Sequence, residues 1–122
     1  MHFAPQPKPT PPILTRQAKT RDRQRYERAV AAIVKRRDGF KCRVPWPDHA
    51  GPVEAAHIDP KGMGGDKRLI RTTTENEIGC CRHHHRSSRG SIHSADIQIT
   101  KLTSFGADGL LAFTRDGQTR QG

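Results

Sequence analysis

Between His57 and His93 the chain places five of its seven histidines and two of its three cysteines around a stretch that no long element can contain. That stretch is Lys61-Gly62-Met63-Gly64-Gly65, and glycine is costly inside a helix or strand. The histidine-rich region must therefore be divided among short elements joined by a turn. Val53-Glu54-Ala55-Ala56-His57-Ile58 reads as a short strand stopped by Asp59-Pro60. A second short strand near residues 68–71 would close a hairpin. Thr74 is a candidate N-cap with Glu77 three residues on, a capping-box spacing that predicts a helix running through the Cys/His cluster.

Upstream, Tyr26, Ala29, Val30, Ile33 and Val34 recur at three- and four-residue spacing, which predicts a helix over residues 20–37 with one apolar face. Arg21, Arg25, Arg28, Lys35 and Arg36 fall on the other face, and Gly39 can take the left-handed conformation that ends a helix. Residues 40–53 are loop-like. Near the end, residues 96–103 and 110–115 alternate in polarity around a Gly-containing turn, as a C-terminal hairpin would. The fold class is α+β, organised as a Pro-rich leader over residues 1–19, one domain over 20–115 and a flexible tail over 116–122. Five of the nine prolines lie in the first fifteen residues, which argues for an extended leader.

Only 32% of the 122 residues are hydrophobic, so a core of this size leaves a thin stability margin and favours a staple. Three cysteines cannot all pair within one chain, and Cys80 and Cys81 are adjacent. Metal-binding or free thiols in a reducing, cytoplasmic setting fit better than a disulfide framework. The net charge is +10. Residues 16–43 carry eleven basic residues against three acids, so +8 of the +10 sits in that stretch. Such a concentration points to a polyanion, with phosphate neutralisation and counterion release as the driving force. A membrane role is excluded: the longest apolar run, residues 29–34, is far below the ~20 residues a span needs. The proline-rich start also lacks the apolar stretch of a signal peptide. With one Trp and one Tyr, no aromatic platform for single strands is expected, and Phe40 and Trp46 are assigned to the core.

The ordered residues Ala56-His57-Ile58, Gly62-Met63-Gly64-Gly65-Asp66, Glu75-Asn76-Glu77-Ile78 and Cys81-Arg82-His83-His84-His85 resemble the HNH (ββα-metal) endonuclease family. The entry through Lys35-Arg36-Arg37-Asp38-Gly39-Phe40-Lys41-Cys42 is similar to that of small phage and prophage members, which often lie near DNA-packaging genes. The resemblance implies a ββα-metal unit acting on DNA with one divalent ion (Mg, Mn, Ni or Zn). His57 would be the base that activates water, Asn76 would hold the unit together and orient that base, and His85 would hold the ion. These roles suit phosphodiester hydrolysis, which needs an activated water, charge neutralisation and help for the leaving oxygen.

Two departures stand out. Many members carry a metal-binding His or Asp before the base, where this chain has Ala56; His93, Asp59 and Asp66 are the candidate replacements. Many also hold a structural zinc between two CxxC pairs. Here the counterpart set is Cys42, His49, Cys81 and His84, a donor set zinc accepts, the alternative being a lost zinc and ordinary buried thiols. Cys80 receives no role. Two further readings stand beside the nuclease: a non-catalytic, zinc-stabilised DNA-binding module with a degenerate site, and a packaging accessory that docks through its leader.

Overall fold

The computed structural model describes residues 16–60 and 69–122. Helix α1 spans Arg16–Arg37, and strand β1, Val53–His57, pairs antiparallel with β2, Glu77–Cys81. A five-residue helix α2, Arg82–Arg86, follows β2 at once. A separate antiparallel sheet, in the order β3-β4-β5, is built from Gln98–Lys101, Leu111–Arg115 and Gln118–Gln121. Two 3₁₀ turns, Thr74–Asn76 and Gly106–Asp108, lie between these elements. Among the described residues no helix is long and apolar enough to cross a membrane.

The helix begins one turn earlier than its apolar pattern predicts, so residues 16–19 belong to α1 and not to a leader. Its buried side is also rotated. Val30 and Val34 are buried, whereas Tyr26 and Ile33 are 46% and 57% exposed. The cause is geometric: α1 packs on β1, β2 and the first 3₁₀ turn, so only its C-terminal half meets a surface to bury against. It ends as expected. The Gly39 N–H donates to Arg36 O and the Phe40 N–H to Lys35 O, the paired bonds of a Schellman motif, with Gly39 at φ 66°.

The predicted helix from Thr74 does not form. Residues 77–81 are instead a strand, every residue of which is buried, and α2 opens only at Arg82, where Cys81 Sγ accepts the His84 N–H at 3.5 Å. Apolar content on both faces outweighs the capping-box spacing, because β2 is covered on both sides. One side faces the core; the other faces the turn after α1. At Gly79 a Cβ would stand 2.9 Å from Lys41 O, so a side chain there would push that turn away. The strand expected near residues 68–71 is likewise not β1's partner, which is β2; residues 69–71 form no strand.

The core gathers Val44, Trp46, Ala56, Ile78, Cys80, Ile97, Ala107, Leu111 and Phe113. Phe40 is not part of it: it is 64% exposed in the left-handed region, at φ 58°. The tail is not flexible coil but strand β5. Asp116 and Gly117 both take positive φ, 51° and 76°, as a type I′ hairpin turn requires. Arg115 and Arg120 then lie over the Trp46 ring at 4.9 and 5.3 Å, and Arg43 donates to Gly122 O at 2.9 Å.

Polar ties supplement this thin core. Arg37 grips Asp38 with two bonds of 2.9 Å and reaches Glu77 O at 2.6 Å, Thr74 O at 2.6 Å and Asp108 at 2.9 Å. Asp38 in turn accepts the Gly79 N–H at 2.7 Å. Phe113→Ala is expected to cost about 3–5 kcal/mol by emptying a core site. Phe40→Ala should stay within about 0.5 kcal/mol. Urea midpoints of the two variants check this, and a similar loss for both would overturn the core assignment.

Candidate metal centre and cleft

Four side chains from three separated segments meet beside the start of α2. Cys42 follows α1, His49 sits in the loop before β1, Cys81 ends β2 and His84 lies on α2; one ligand atom from each falls within 4.8 Å of the others. His84 Nδ1 is 3.4 Å from Cys81 Sγ and 3.6 Å from Cys42 Sγ, and His49 Nδ1 is 3.8 Å from Cys81 Sγ. The S···N edge of a zinc tetrahedron is about 3.5 Å, given Zn–S of about 2.3 Å and Zn–N of about 2.0–2.1 Å. The donors fit such an ion in number, type and spacing. This is the same set that the family resemblance singled out.

Cys80, which sequence reasoning left without a role, belongs to the surroundings of this cluster. It is fully buried, and its thiol hydrogen-bonds Cys42. That bond, with the Cys81 amide and His84 assisting against burial, draws the Cys42 thiol down to about 4. The same bond, with burial added, pushes Cys80 far upward, so Cys80 is the proton-bearing partner. Burial also raises Cys81. A thiolate at Cys42 is the form that ligates metal.

A second site lies on the other side of α2. An open cleft of about 1310 Å³ is lined by Arg28 of α1, Ala55 and His57 of β1, Glu77 of β2, His85 of α2 and His93. Strand alternation explains His57: residues 55 and 57 share one face of β1, while Ala56 faces the core and is fully buried there. A ligand at position 56 would thus meet Ile78, its partner across the strands, and not the cleft. His93 arrives because the chain turns back along α2. The Ile92 N–H donates to His84 O and the His93 N–H to His85 O, which sets the His93 ring edge-on to His85 at 4.6 Å.

His85 Nδ1 lies 3.2 Å from Glu54 Oε1, and Arg86 holds the other oxygen of that carboxylate at 2.7 Å. Burial is the largest influence on His85 and lowers its pKa; Glu54 opposes it and His93 reinforces it. Burial works against ionisation of Glu54, but His85, Arg86 and Arg82 outweigh it and keep its carboxyl below the usual range. Glu54 is a site residue that the sequence did not reveal. Nothing in the spacing from Glu54 to His85 signals the contact.

Asn76 is buried and does not line the cleft; it closes the segment that follows His57. Its side-chain oxygen accepts the Asp59 N–H at 2.9 Å, and its amide donates to Asp59 O at 3.0 Å and Arg71 O at 2.8 Å. Its backbone oxygen accepts the Ile58 N–H at 2.7 Å. Both ends of the chain between 59 and 71 are therefore tied to one side chain.

The remaining expected residues divide. Asp59 does not line the cleft, and its carboxylate pairs with Lys101 at 3.2 Å. Asp66 and the Gly-rich turn lie outside the described residues. Arg21, Arg25, Arg28 and Arg36 are exposed on α1 and Lys35 is half-buried; of the five, Arg28 lines the cleft. The imidazoles of His57, His85 and His93 line the cleft, with His85 and His93 in ring contact, while among the described residues groups of three or more converging ligand atoms form only around His84.

Compared with known proteins, the chain matches no family model, no curated protein and no solved structure. Asn76→Ala is expected to cost roughly 1–3 kcal/mol, since it strips partners from buried backbone groups. Amide exchange should quicken at Ile58 and Asp59 but not in β4; unchanged protection at 58 and 59 would remove Asn76 from its clamping role.

Proposed function

We propose that this protein is a divalent-metal-dependent endonuclease or nickase of the HNH type, hydrolysing DNA phosphodiester bonds at the His57–His85 cleft. The supporting observation is that His57, at the end of β1, and His85, on the helix directly after β2, line one cleft while Asn76 clamps the segment between them. The order strand, clamped loop, strand, short helix is that of a ββα-metal unit. His57 accepts the proton of the attacking water, and Arg28, at the cleft wall, neutralises phosphate charge. With Nδ1 turned to Glu54, His85 offers Nε2 to an ion, and the neutral ring favoured by its burial is the ligating form. His93 beside it is the second imidazole donor. A divalent ion held there would supply charge stabilisation at the scissile phosphate and at the leaving oxygen.

In the same reading Cys42, His49, Cys81 and His84 hold a structural zinc, which staples the loop after α1, β2 and α2 around one point. Exposed Arg21, Arg25 and Arg28 extend a basic path along α1 to the cleft wall. One observation favours a second reading, a zinc-stabilised DNA-binding module without catalysis: the four-donor cluster is complete, whereas among the described residues no three ligand atoms converge in the cleft, where His85 and His93 alone are in ring contact.

Supercoiled plasmid separates the two. With Mg²⁺, Mn²⁺, Ni²⁺ or Zn²⁺ the enzyme should make nicked or linear product, EDTA should stop it, and His57→Ala should slow it by about 100-fold or more. If no ion yields product that His57→Ala fails to make, the module reading prevails. DNA binding is tested independently by a salt series. Charge reversal at Arg21, Arg25 and Arg28 should flatten the slope of log affinity against log salt by about 0.9 for each phosphate no longer neutralised. An unchanged slope takes α1 off the binding surface.

A further inference from the structure

His84 is completely buried, and its two ring nitrogens face different partners. Nδ1 looks at the thiols, 3.4 Å from Cys81 and 3.6 Å from Cys42, whereas Nε2 lies 2.9 Å from Asp48 Oδ1. Asp48 belongs to neither the four-donor cluster nor the cleft, and no feature of the sequence marks it. It is held from the opposite side by Arg115 of β4, whose Nη1 reaches its two oxygens at 3.0 and 2.9 Å, and Arg115 itself lies over Trp46. His83 Nε2 stands 3.3 Å from Asp48 Oδ2.

We propose that Asp48 is a positioning residue of the metal centre. Its carboxylate accepts the Nε2–H of His84, which fixes the tautomer that leaves Nδ1 free for an ion, and Arg115 holds that carboxylate in place. The inference rests on the zinc reading of Cys42, His49, Cys81 and His84. The physical reason is general. An imidazole ligates through an unprotonated nitrogen, so a strong acceptor at the other nitrogen selects the right tautomer, orients the ring and raises its basicity. Here burial makes the need acute, because the Nε2–H would otherwise have no solvent to turn to.

Asp48, His83 and His84 are also close enough to suggest a second cation site. The Arg115 guanidinium argues against it, since its positive charge lies on both oxygens that a cation would need. The arrangement gives the C-terminal sheet a task beyond packing: β4 reaches across to set the chemistry of a histidine on α2. It also links zinc affinity to Arg115, which is remote in sequence from every ligand.

The test uses the full chain, with zinc as the probe in competition with a chromophoric chelator, for wild type, Asp48→Ala, Asp48→Asn and Arg115→Gln. Wild type should take up one zinc. Asp48→Ala should bind it about 10–100-fold more weakly, and Asp48→Asn, which keeps an acceptor without the charge, should recover part of the loss. Long-range ¹H–¹⁵N spectra of the zinc-loaded wild type should show His84 protonated at Nε2 and metal-bound at Nδ1. If Asp48→Ala does not fold, Arg115→Gln decides by a several-fold weakening with secondary structure retained. Zinc affinity unchanged in the variants, or a His84 bound through Nε2, would overturn the proposal and leave the zinc reading standing. No zinc uptake by wild type would overturn both.

Discussion

The register of β1 against β2, with Val53 opposite Cys81 and His57 opposite Glu77, is the constraint on which both candidate sites depend. Side chains alternate across a strand, so a slip of one residue would exchange the two faces of the pair. His57 would turn from the cleft into the core and Ala56 out of it. Cys81 would leave the thiol and imidazole cluster in the same movement. Several features hold the register in place: Ala56, Ile78 and Cys80 are fully buried on one face, and Gly79 admits the turn after α1 on the other. The backbone bond from Ile58 N–H to Asn76 O continues the ladder one step beyond His57.

Around this pair the chain substitutes polar ties for missing apolar mass. Arg37, Arg43 and Asn76 each bind backbone carbonyls of other segments, at Thr74 and Glu77, at Gly109 and at Asp59 respectively, and each is at least partly shielded from water. Such bonds contribute modestly when made but are costly to leave unmade once the groups are buried, which gives them more weight in specifying the fold than in net stability. The four-donor cluster extends the same logic. It draws the loop after α1, the end of β2 and the start of α2 to one point, a task that a larger protein would leave to its core.

The two sites are therefore built to different standards. Around His84 the donors, their acceptor Asp48 and the arginine behind it are all ordered within hydrogen-bond range. In the cleft, His85 is oriented by Glu54 and accompanied by His93, but the cleft is open and its wall is partly the exposed arginine face of α1. A complete four-donor set anchored on buried Cys81 and His84 suits a structural ion. An open one with basic surroundings suits an extended polyanion that must enter and leave.

Much of the site was legible in the chain itself. Cys42, His49, Cys81 and His84 stand out as a family-like donor pattern, while the glycine stop at Gly39 and the strand ending in His57 are short-range patterns that local backbone preference is enough to read. Phe40 and the tail were misread for the complementary reason. A large apolar side chain does not state whether a surface awaits it, and the Asp116-Gly117 turn returns a strand whose Arg120 lies over Trp46, a contact the tail's own residues do not display. The helix expected from Thr74 failed because burial on both faces of residues 77–81 is a property of neighbours that the segment cannot display. The sequence by itself determined which donors and bases exist and which short elements carry them. Only the tertiary structure decided that Glu54 meets His85, that Asp48 meets His84 and that Asn76 closes the loop between 59 and 71, because those pairings follow from strand register and packing between segments far apart along the chain.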